Sequence, residues 1–329
     1  MTSSVQVGIA GLGLHVPEKV MTNHDLEKMV DTSDEWITTR SGIKRRHIAA
    51  PDEATSDTAA AAAKKALKDA GMEASDLDGI ICATFTPDTP CPSTACHIQA
   101  KIGAENAFAF DISAACTGFV YGVTVAKSMI TTGVCDNVLV IGAETMSRFT
   151  DWEDRGTCVL FGDGGGAAII KKDAPNGRLL NAYLAADGTM ADHIIIPGGG
   201  SRMPASHETV DQGMHYIKMA GNEVFKFAVR ILAHSVEKAS KRSGIKPEDL
   251  NLIVPHQANY RILNAAARKM GLPEEEMFNN IAEYGNTSAG TVPIALTEAV
   301  HNGDIKKGDL VALVAFGGGM TWGSIILEW

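Results

Sequence analysis

The chain reads as an α/β protein made of two similar layered halves. Helical patterns alternate with short β-rich apolar runs along its 329 residues. Such runs predict mostly parallel sheets buried on both faces. The chain also repeats itself. AAAAAKKALKDAG (59–71) matches LAHSVEKASKRSG (232–244), each a helix closed by glycine. ASDLDGIICATFT then parallels PEDLNLIVPHQAN, an acidic turn leading into a buried strand. Asp76 falls on Asp249, a shift of 249 − 76 = 173, and the same shift carries Asp136 of DNVLVIGAE onto Asp309 of DLVALVAFG. The first half then holds an extra stretch, TMSRFTDWEDRGTCVLF, before GGGAAIIKK, which resembles WGSIILEW at a smaller shift. These matches divide the chain at 1–175 and 176–329 and predict α/β layers related by a pseudo-twofold.

Composition narrows the class. Hydrophobic residues make up 45%, enough for a large core, and formal charge is 29 − 39 = −10, which disfavours nucleic acid as a partner. No apolar run approaches the ~20 residues of a membrane span. MTSSVQVGIAGLG lacks the basic start of an export signal. The six cysteines form no CxxC pair, so a structural zinc site is not expected. A reduced, cytoplasmic enzyme is the expectation.

Cys116 lies in FDISAACTGFVYG. A β-like segment (107–112) gives way to small residues, then to the thiol, then to Phe119, Val120, Val123 and Ala126 at helix spacing. A thiol at a helix N-terminus is in a setting that favours thiolate. A small buried cysteine in a tight turn fits this run equally well. The duplication adds two junctions: His256 closes the strand NLIVPH, and Asn286 precedes the helix TVPIALTEAV. Cys116, His256 and Asn286 thus all stand at strand–helix junctions, where open α/β sheets build their sites.

CTGF with Cys116, HQAN with His256, GNTSAGT with Asn286 and the closing FGGGMTWGS together resemble the β-ketoacyl-acyl carrier protein synthase III family, over essentially the whole chain. The resemblance implies a thiolase fold, α-β-α-β-α, and a homodimer. It implies an acyltransferase that starts fatty-acid synthesis from acyl-CoA and malonyl-acyl carrier protein with no cofactor and no metal. Elongating condensing enzymes use two histidines, and thiolases a second late cysteine; neither pattern is present here. The alternatives are a relative that primes a polyketide or signal-molecule pathway, a Cys-His-Asn thioesterase, and a noncatalytic acyl-CoA binder.

The resemblance makes Cys116 the acylated nucleophile. His256 and Asn286 become donors to the enolate oxygen formed on decarboxylation, and the backbone N–H groups of Cys116 and Gly318 become a second oxyanion hole. It places Trp36 and Arg155 on either side of the CoA adenine, Arg40 near phosphate, and Asn222 and Asn259 along the pantetheine tunnel. Arg261 becomes the carrier-protein docking residue, with Lys226, Arg268 and Lys269 nearby on helical patterns. The residue at Cys91 reaches across the dimer to close the partner's acyl pocket; a small thiol there implies a deeper pocket. The segment GDGGGA (162–167) matches a loose dinucleotide fingerprint, but AAIIKK after it reads as a strand, so that reading fails.

Overall fold

The structure, a computed structural model, describes residues 5–329. The first residues of the segment read for an export signal lie outside the described residues. Up to residue 172 the elements are β1 (Val7–His15), β2 (Lys19–Thr22), α1 (Asn23–Leu26), α2 (Asp34–Ser41), β3 (Arg45–Ile48), α3 (Thr55–Ala70), β4 (Gly79–Ala83), α4 (Thr94–Ile102), β5 (Phe108–Ile112), α5 (Gly118–Thr131), β6 (Asn137–Glu144), α6 (Arg155–Cys158) and β7 (Gly164–Lys172). Then follow β8 (Arg178–Ala186), β9 (Ile194–Ile195), α7 (His207–Asp211), β10 (Lys218–Met219), α8 (Gly221–Ser243), β11 (Leu252–Pro255), α9 (Tyr260–Met270), α10 (Ile281–Tyr284), α11 (Thr291–His301), β12 (Leu310–Gly317) and β13 (Thr321–Glu328).

Two sheets form the frame, in orders β1-β7-β6-β4-β5 and β11-β12-β13-β8. β4 runs parallel to β5 and β6, while β7 is antiparallel to both β6 and β1. In the second sheet β11 and β12 are parallel and β13 is antiparallel to β12 and β8. Each sheet is therefore mostly parallel in direction, with one reversed strand at the matching place. The glycines of 162–167 lead into that reversed strand, β7, as the strand reading required. The counterpart of β5 shrinks to an isolated bridge between Ile253 and Met277.

Both central strands alternate strictly. Val138 and Val140 of β6 face the core shared with α5 and α11, and Leu139 and Ile141 face α3 and α4. On β12, Val311 and Leu313 face the same central core, and Ala312 and Val314 face α8 and α9. Burial on both faces explains why these strands read as unbroken apolar runs. The layers are α3/α4, sheet, α5/α11, sheet, α8/α9. The periodic Phe119, Val120, Val123 and Ala126 are all fully buried in the middle layer. Each large apolar side chain there contributes about 1.5–3 kcal/mol on burial.

The repeat is kept to the residue. β4 and β11, α5 and α11, and β6 and β12 each begin 173 positions apart (252 − 79, 291 − 118, 310 − 137). α8 exceeds its sequence match, beginning at Gly221 rather than near Leu232. Close packing joins the repeats in the middle layer. A side chain at Gly142 on β6 would meet the Ala289 carbonyl oxygen at 2.1 Å, so only glycine lets that turn approach.

Candidate active site

Cys116 follows β5 in a short 3-10 turn (Ala115–Thr117) that runs straight into α5. Ala115 just before it has φ 47°. This left-handed kink turns the chain from strand to helix within a few residues. His256 follows β11, and its N–H donates to the Val314 carbonyl at 2.8 Å, which ties it to β12. Asn286 lies between α10 and α11. Its N–H donates to Leu160 O at 2.9 Å, and its carbonyl accepts from Gly162 N at 3.1 Å. The three junctions converge: Cys116, His256, Asn286 and Gly318 all line one cavity of about 730 Å³. The rest of its wall is mostly apolar, with Phe85, Met146, Phe161, Ile196 and Ile217 among the lining residues.

The local chemistry is set by burial and by two hydroxyls, those of Ser288 and Thr291. Burial pushes the Cys116 thiol up to about 12, the Ser288 hydroxyl pulls it down, and the charge of Glu144 pushes it up. Cys116 is half-buried as a residue and lines the cavity. The thiolate expected from the helix end is therefore outweighed by desolvation, and the resting group is the thiol. Burial also lowers His256 to about 3, so its imidazole is neutral near pH 7. Its Nδ1 lies 2.7 Å from Thr291 Oγ1, and its ring packs edge-on against Phe316 at 5.4 Å. Nε2 is the nitrogen left without a partner. Ser288 N–H donates to Asn286 Oδ1 at 2.9 Å, which fixes the amide and leaves Nδ2 as its free donor. Both groups can thus act on a developing oxyanion without a change of charge.

Gly317, Gly318 and Gly319 close the site from β12. A side chain at Gly317 would meet Cys116 N at 2.6 Å. Only glycine lets this loop reach the amide of the nucleophile's turn.

The other predicted residues are more dispersed. Arg40, Asn259 and Arg261 line the cavity. Asn259 caps α9 by accepting from Arg261 N at 2.8 Å and donates to Arg40 O at 3.0 Å, so much of its polarity is committed to the fold. Trp36 lies outside the lining, with the Arg40 and Arg155 guanidinium carbons 4.8 and 4.7 Å from its ring centre. An adenine stacking there has to displace a guanidinium. Asn222 is exposed on the first turn of α8. Lys226 pairs with Glu223 at 2.9 Å, and Arg268 and Lys269 sit in the last turn of α9, away from Arg261 in its first. Cys91 is exposed and outside the lining, although Phe85 of the same connection faces the cavity. Glu144, Ser288 and Thr291 were missed from the sequence. The one signal for Glu144 was an acid ending the apolar run VLVIGAE, where its repeat ends in Gly317.

A five-layer duplicated fold with these junctions around one cavity is that of the thiolase-fold condensing enzymes. The description 3-oxoacyl-[acyl-carrier-protein (ACP)] synthase III matches residues 110–188, and that of its C-terminal part matches 240–329. A β-ketoacyl-[acyl-carrier-protein] synthase III of Caldanaerobacter subterraneus subsp. tengcongensis is 54% identical, over 100% of this chain and 99% of that one. The crystal structure of 3-oxoacyl-[acyl-carrier-protein] synthase III from Aquifex aeolicus VF5 is 47% identical, with TM-score 0.90 over 98% of this chain and 100% of that one. The priming β-ketosynthase of the R1128 polyketide pathway is 31% identical, with TM-score 0.89 over 98% and 96%. The chain belongs to the β-ketoacyl-[acyl-carrier-protein] synthase III family, acyltransferases that catalyse a condensation.

Proposed function

We propose that the chain condenses a starter acyl-CoA with malonyl-acyl carrier protein through an acyl-cysteine at Cys116, and so starts fatty-acid chains. The observation that carries this reading is the single cavity shared by Cys116, His256, Asn286 and Gly318. The Cys116 sulfur attacks the thioester carbonyl, the carbon–sulfur bond to CoA breaks, and CoA leaves with the electron pair and takes a proton. The backbone N–H groups of Cys116 and Gly318 hold the oxyanion of that step. Malonyl-acyl carrier protein then loses carbon dioxide. His256 Nε2–H and Asn286 Nδ2 hold the enolate oxygen, and the carbanion displaces Cys116 from the acyl group. The scheme calls on no cofactor or metal.

Trp36, Arg40 and Arg155 take the nucleotide end of CoA, and Asn222 and Asn259 flank the pantetheine arm. Arg261 at the cavity receives the acidic carrier protein, supported by Lys226, Arg268 and Lys269. Cys91 closes the partner's acyl pocket in a homodimer. The repeat boundary falls between 175 and 176, a reading supported by the strand membership of the two sheets. No helix among the described residues is long and apolar enough to cross a membrane, in line with a cytoplasmic enzyme.

The test is intact-protein mass spectrometry after incubation with a mixed acyl-CoA pool. One stable acyl adduct is expected in the wild type and none in Cys116→Ala. The adduct mass reports the preferred starter. His256→Ala and Asn286→Ala should still acylate while losing decarboxylation by about 10²–10³. Continuous acyl-CoA hydrolysis, or an adduct of unchanged yield in Cys116→Ala, would overturn the reading.

A further inference from the structure

The two backbone donors assigned to acylation come from different repeats, and a pair of threonines joins the turns that carry them. Cys116 lies in the turn Ala115–Thr117, and Gly318 in the turn that joins β12 to β13. Thr117 is fully buried, and Thr321 lines the cavity at the start of β13. Their hydroxyl oxygens stand 3.0 Å apart across 204 residues of chain. Thr321 Oγ1 also lies 2.9 Å from the Ala114 carbonyl oxygen, two residues before the nucleophile, and 3.2 Å from that of Gly318.

Proton counting sets the direction of these bonds. Each hydroxyl has one proton. Among the described residues Thr321 Oγ1 is the only partner of the Thr117 hydroxyl. A buried hydroxyl keeps its proton paired, so Thr117 donates to Thr321. Thr321 then donates to the nearer carbonyl, that of Ala114. The chain Thr117–Thr321–Ala114 ties the first residue of β13 to both flanks of Cys116. The outer side of the same glycine turn is held separately, where Met320 and Asp187 exchange backbone bonds at 2.9 and 3.1 Å. The shift of 173 places Gly290 at the position of Thr117, so the repeat without a nucleophile has no hydroxyl there.

We propose that Thr321, braced by Thr117, is a positioning residue that sets the spacing of the Cys116 and Gly318 N–H groups around the acyl oxyanion. Such donors act only when both reach one point, at about 2.7–3.1 Å from the oxygen. The two turns already touch: a side chain at Gly317 would meet Cys116 N at 2.6 Å. That contact limits how close they come, and the hydroxyl chain limits how far apart they drift. The side chains of His256 and Asn286 make none of these bonds; they are held by Thr291 and Ser288, so the enolate donors are fixed independently. The inference rests on Cys116 being the acylated residue and on those two N–H groups facing its oxyanion.

Thr321→Val keeps the shape and removes the link, whereas Thr321→Ser keeps the link. Single-turnover acylation of Cys116 is followed by mass spectrometry, with malonyl-acyl carrier protein decarboxylation and thermal unfolding measured in parallel. In Thr321→Val acylation should fall on the order of 10², while the acyl-CoA concentration for half-maximal rate stays within a few-fold. Thr321→Ser should recover most of the rate, and decarboxylation should stay within a few-fold in both. Thr117→Val should slow acylation about tenfold although Thr117 is buried away from substrate, because it loosens the same chain. The double variant Thr117→Val/Thr321→Val separates positioning from packing. It strands no buried hydroxyl, so it should unfold at a higher temperature than Thr321→Val while its acylation stays as low. The carbonyl stretch of a carbon-13-labelled acyl group on Cys116, read by infrared spectroscopy, should rise in Thr321→Val as the donors part. An unmoved band overturns the inference, as does acylation that recovers with stability in the double variant. Wild-type acylation in folded Thr117→Val overturns it too, since Thr321 would then act by touching substrate itself. Equal loss of both half-reactions also overturns it. If Thr321→Val does not fold, Thr117→Val decides, and its loss must fall on acylation alone. Absence of an acyl adduct on wild-type Cys116 would instead overturn the assignment of the nucleophile.

Discussion

Thr291 Oγ1 stands 2.7 Å from Nδ1 of His256 and 2.9 Å from the Ser288 carbonyl oxygen, and its one proton can serve only one of them. Donated to the Ser288 carbonyl, it leaves Nδ1 to carry the ring's N–H; turned to Nδ1, it leaves the ring proton on Nε2. The second arrangement makes Nδ1 the acceptor and turns the ring N–H at Nε2 to the cavity. An enolate oxygen needs that tautomer.

Thr291→Val should therefore impair decarboxylation more than acylation. Valine keeps the shape but leaves Nδ1 buried without a partner, so the ring is free to turn or to hold its proton on the wrong nitrogen. A misaligned donor costs on the order of 10² in rate. Thr291→Ser should recover most of the loss. Nitrogen-15 NMR of the imidazole checks the cause directly: wild type should show the Nε2–H form, and Thr291→Val a mixture. An unchanged tautomer with reduced rate would refer the effect to packing.

Gly317→Ala should disable acylation. The φ of Gly317 is −165°, which any residue adopts, so the restriction is space alone. The new methyl carbon would meet Cys116 N at 2.6 Å, a backbone atom that cannot swing aside. Either the glycine loop or the turn carrying Cys116 has to shift, at about 1–3 kcal/mol of stability. The two oxyanion donors then move apart, and acylation should drop by about 10²–10³. Parallel measurement of thermal unfolding separates this from global loss of fold. Normal acylation in a folded variant would mean that the Gly318 amide does not serve the oxyanion.

Arg261→Glu should weaken use of the carrier protein far more than use of acyl-CoA. Arg261 lies at the first turn of α9 against the cavity, with its guanidinium 5.8 Å from the Phe225 ring. The chain is net −10, so an acidic partner needs a local positive site to approach. Reversing that charge should raise KM for malonyl-acyl carrier protein, and added salt should shrink the difference. Lys226→Glu should do less, because Lys226 already shares its charge with Glu223. Equal losses with both substrates would point to a role in CoA binding instead.

Much of this arrangement was legible from local sequence, because each repeat writes the same signals. Asp76 and Asp249 open matching turns, and DNVLVIGAE and DLVALVAFG write the same strand. The constant shift of 173 then located three junctions, and Cys116, His256 and Asn286 stand on them. What escaped was built by long-range contact. Glu144 is defined by Thr84 and Thr86, some sixty residues earlier, and by Ser288, 144 residues later. Ser288 and Ala115 share a left-handed backbone 173 positions apart, yet neither residue type advertises it. Thr291 read only as the first residue of a helix, since its bond to His256 depends on packing between the repeats. The resting thiol was missed because desolvation is a property of the closed cavity, whereas the helix end is visible in the sequence.

The depressed titration of His256 also has a consequence for stability. Burial holds it near 3 in the fold against 6.5 in the unfolded chain. Below pH 6.5 the unfolded chain takes up a proton that the folded one refuses. Its contribution is therefore fully present above pH 6.5 and is lost as pH falls toward about 3, at up to about 1.36 kcal/mol per unit. Glu144 works in the opposite sense. Raised from 4.5 to about 7, it contributes below pH 4.5 and loses that contribution as pH rises through 7. The two slopes oppose each other in the wild type between pH 4.5 and 6.5. Comparison with His256→Ala isolates one of them, because Glu144 is present in both proteins. Urea unfolding should show the wild type gaining on the variant as pH rises from about 5 to 6.5, by about 2 kcal/mol. Above pH 7 the gap should be constant. Parallel stability curves across that window would mean that His256 takes up its proton in the folded protein as readily as in the unfolded one, and that its ring is not held neutral by burial.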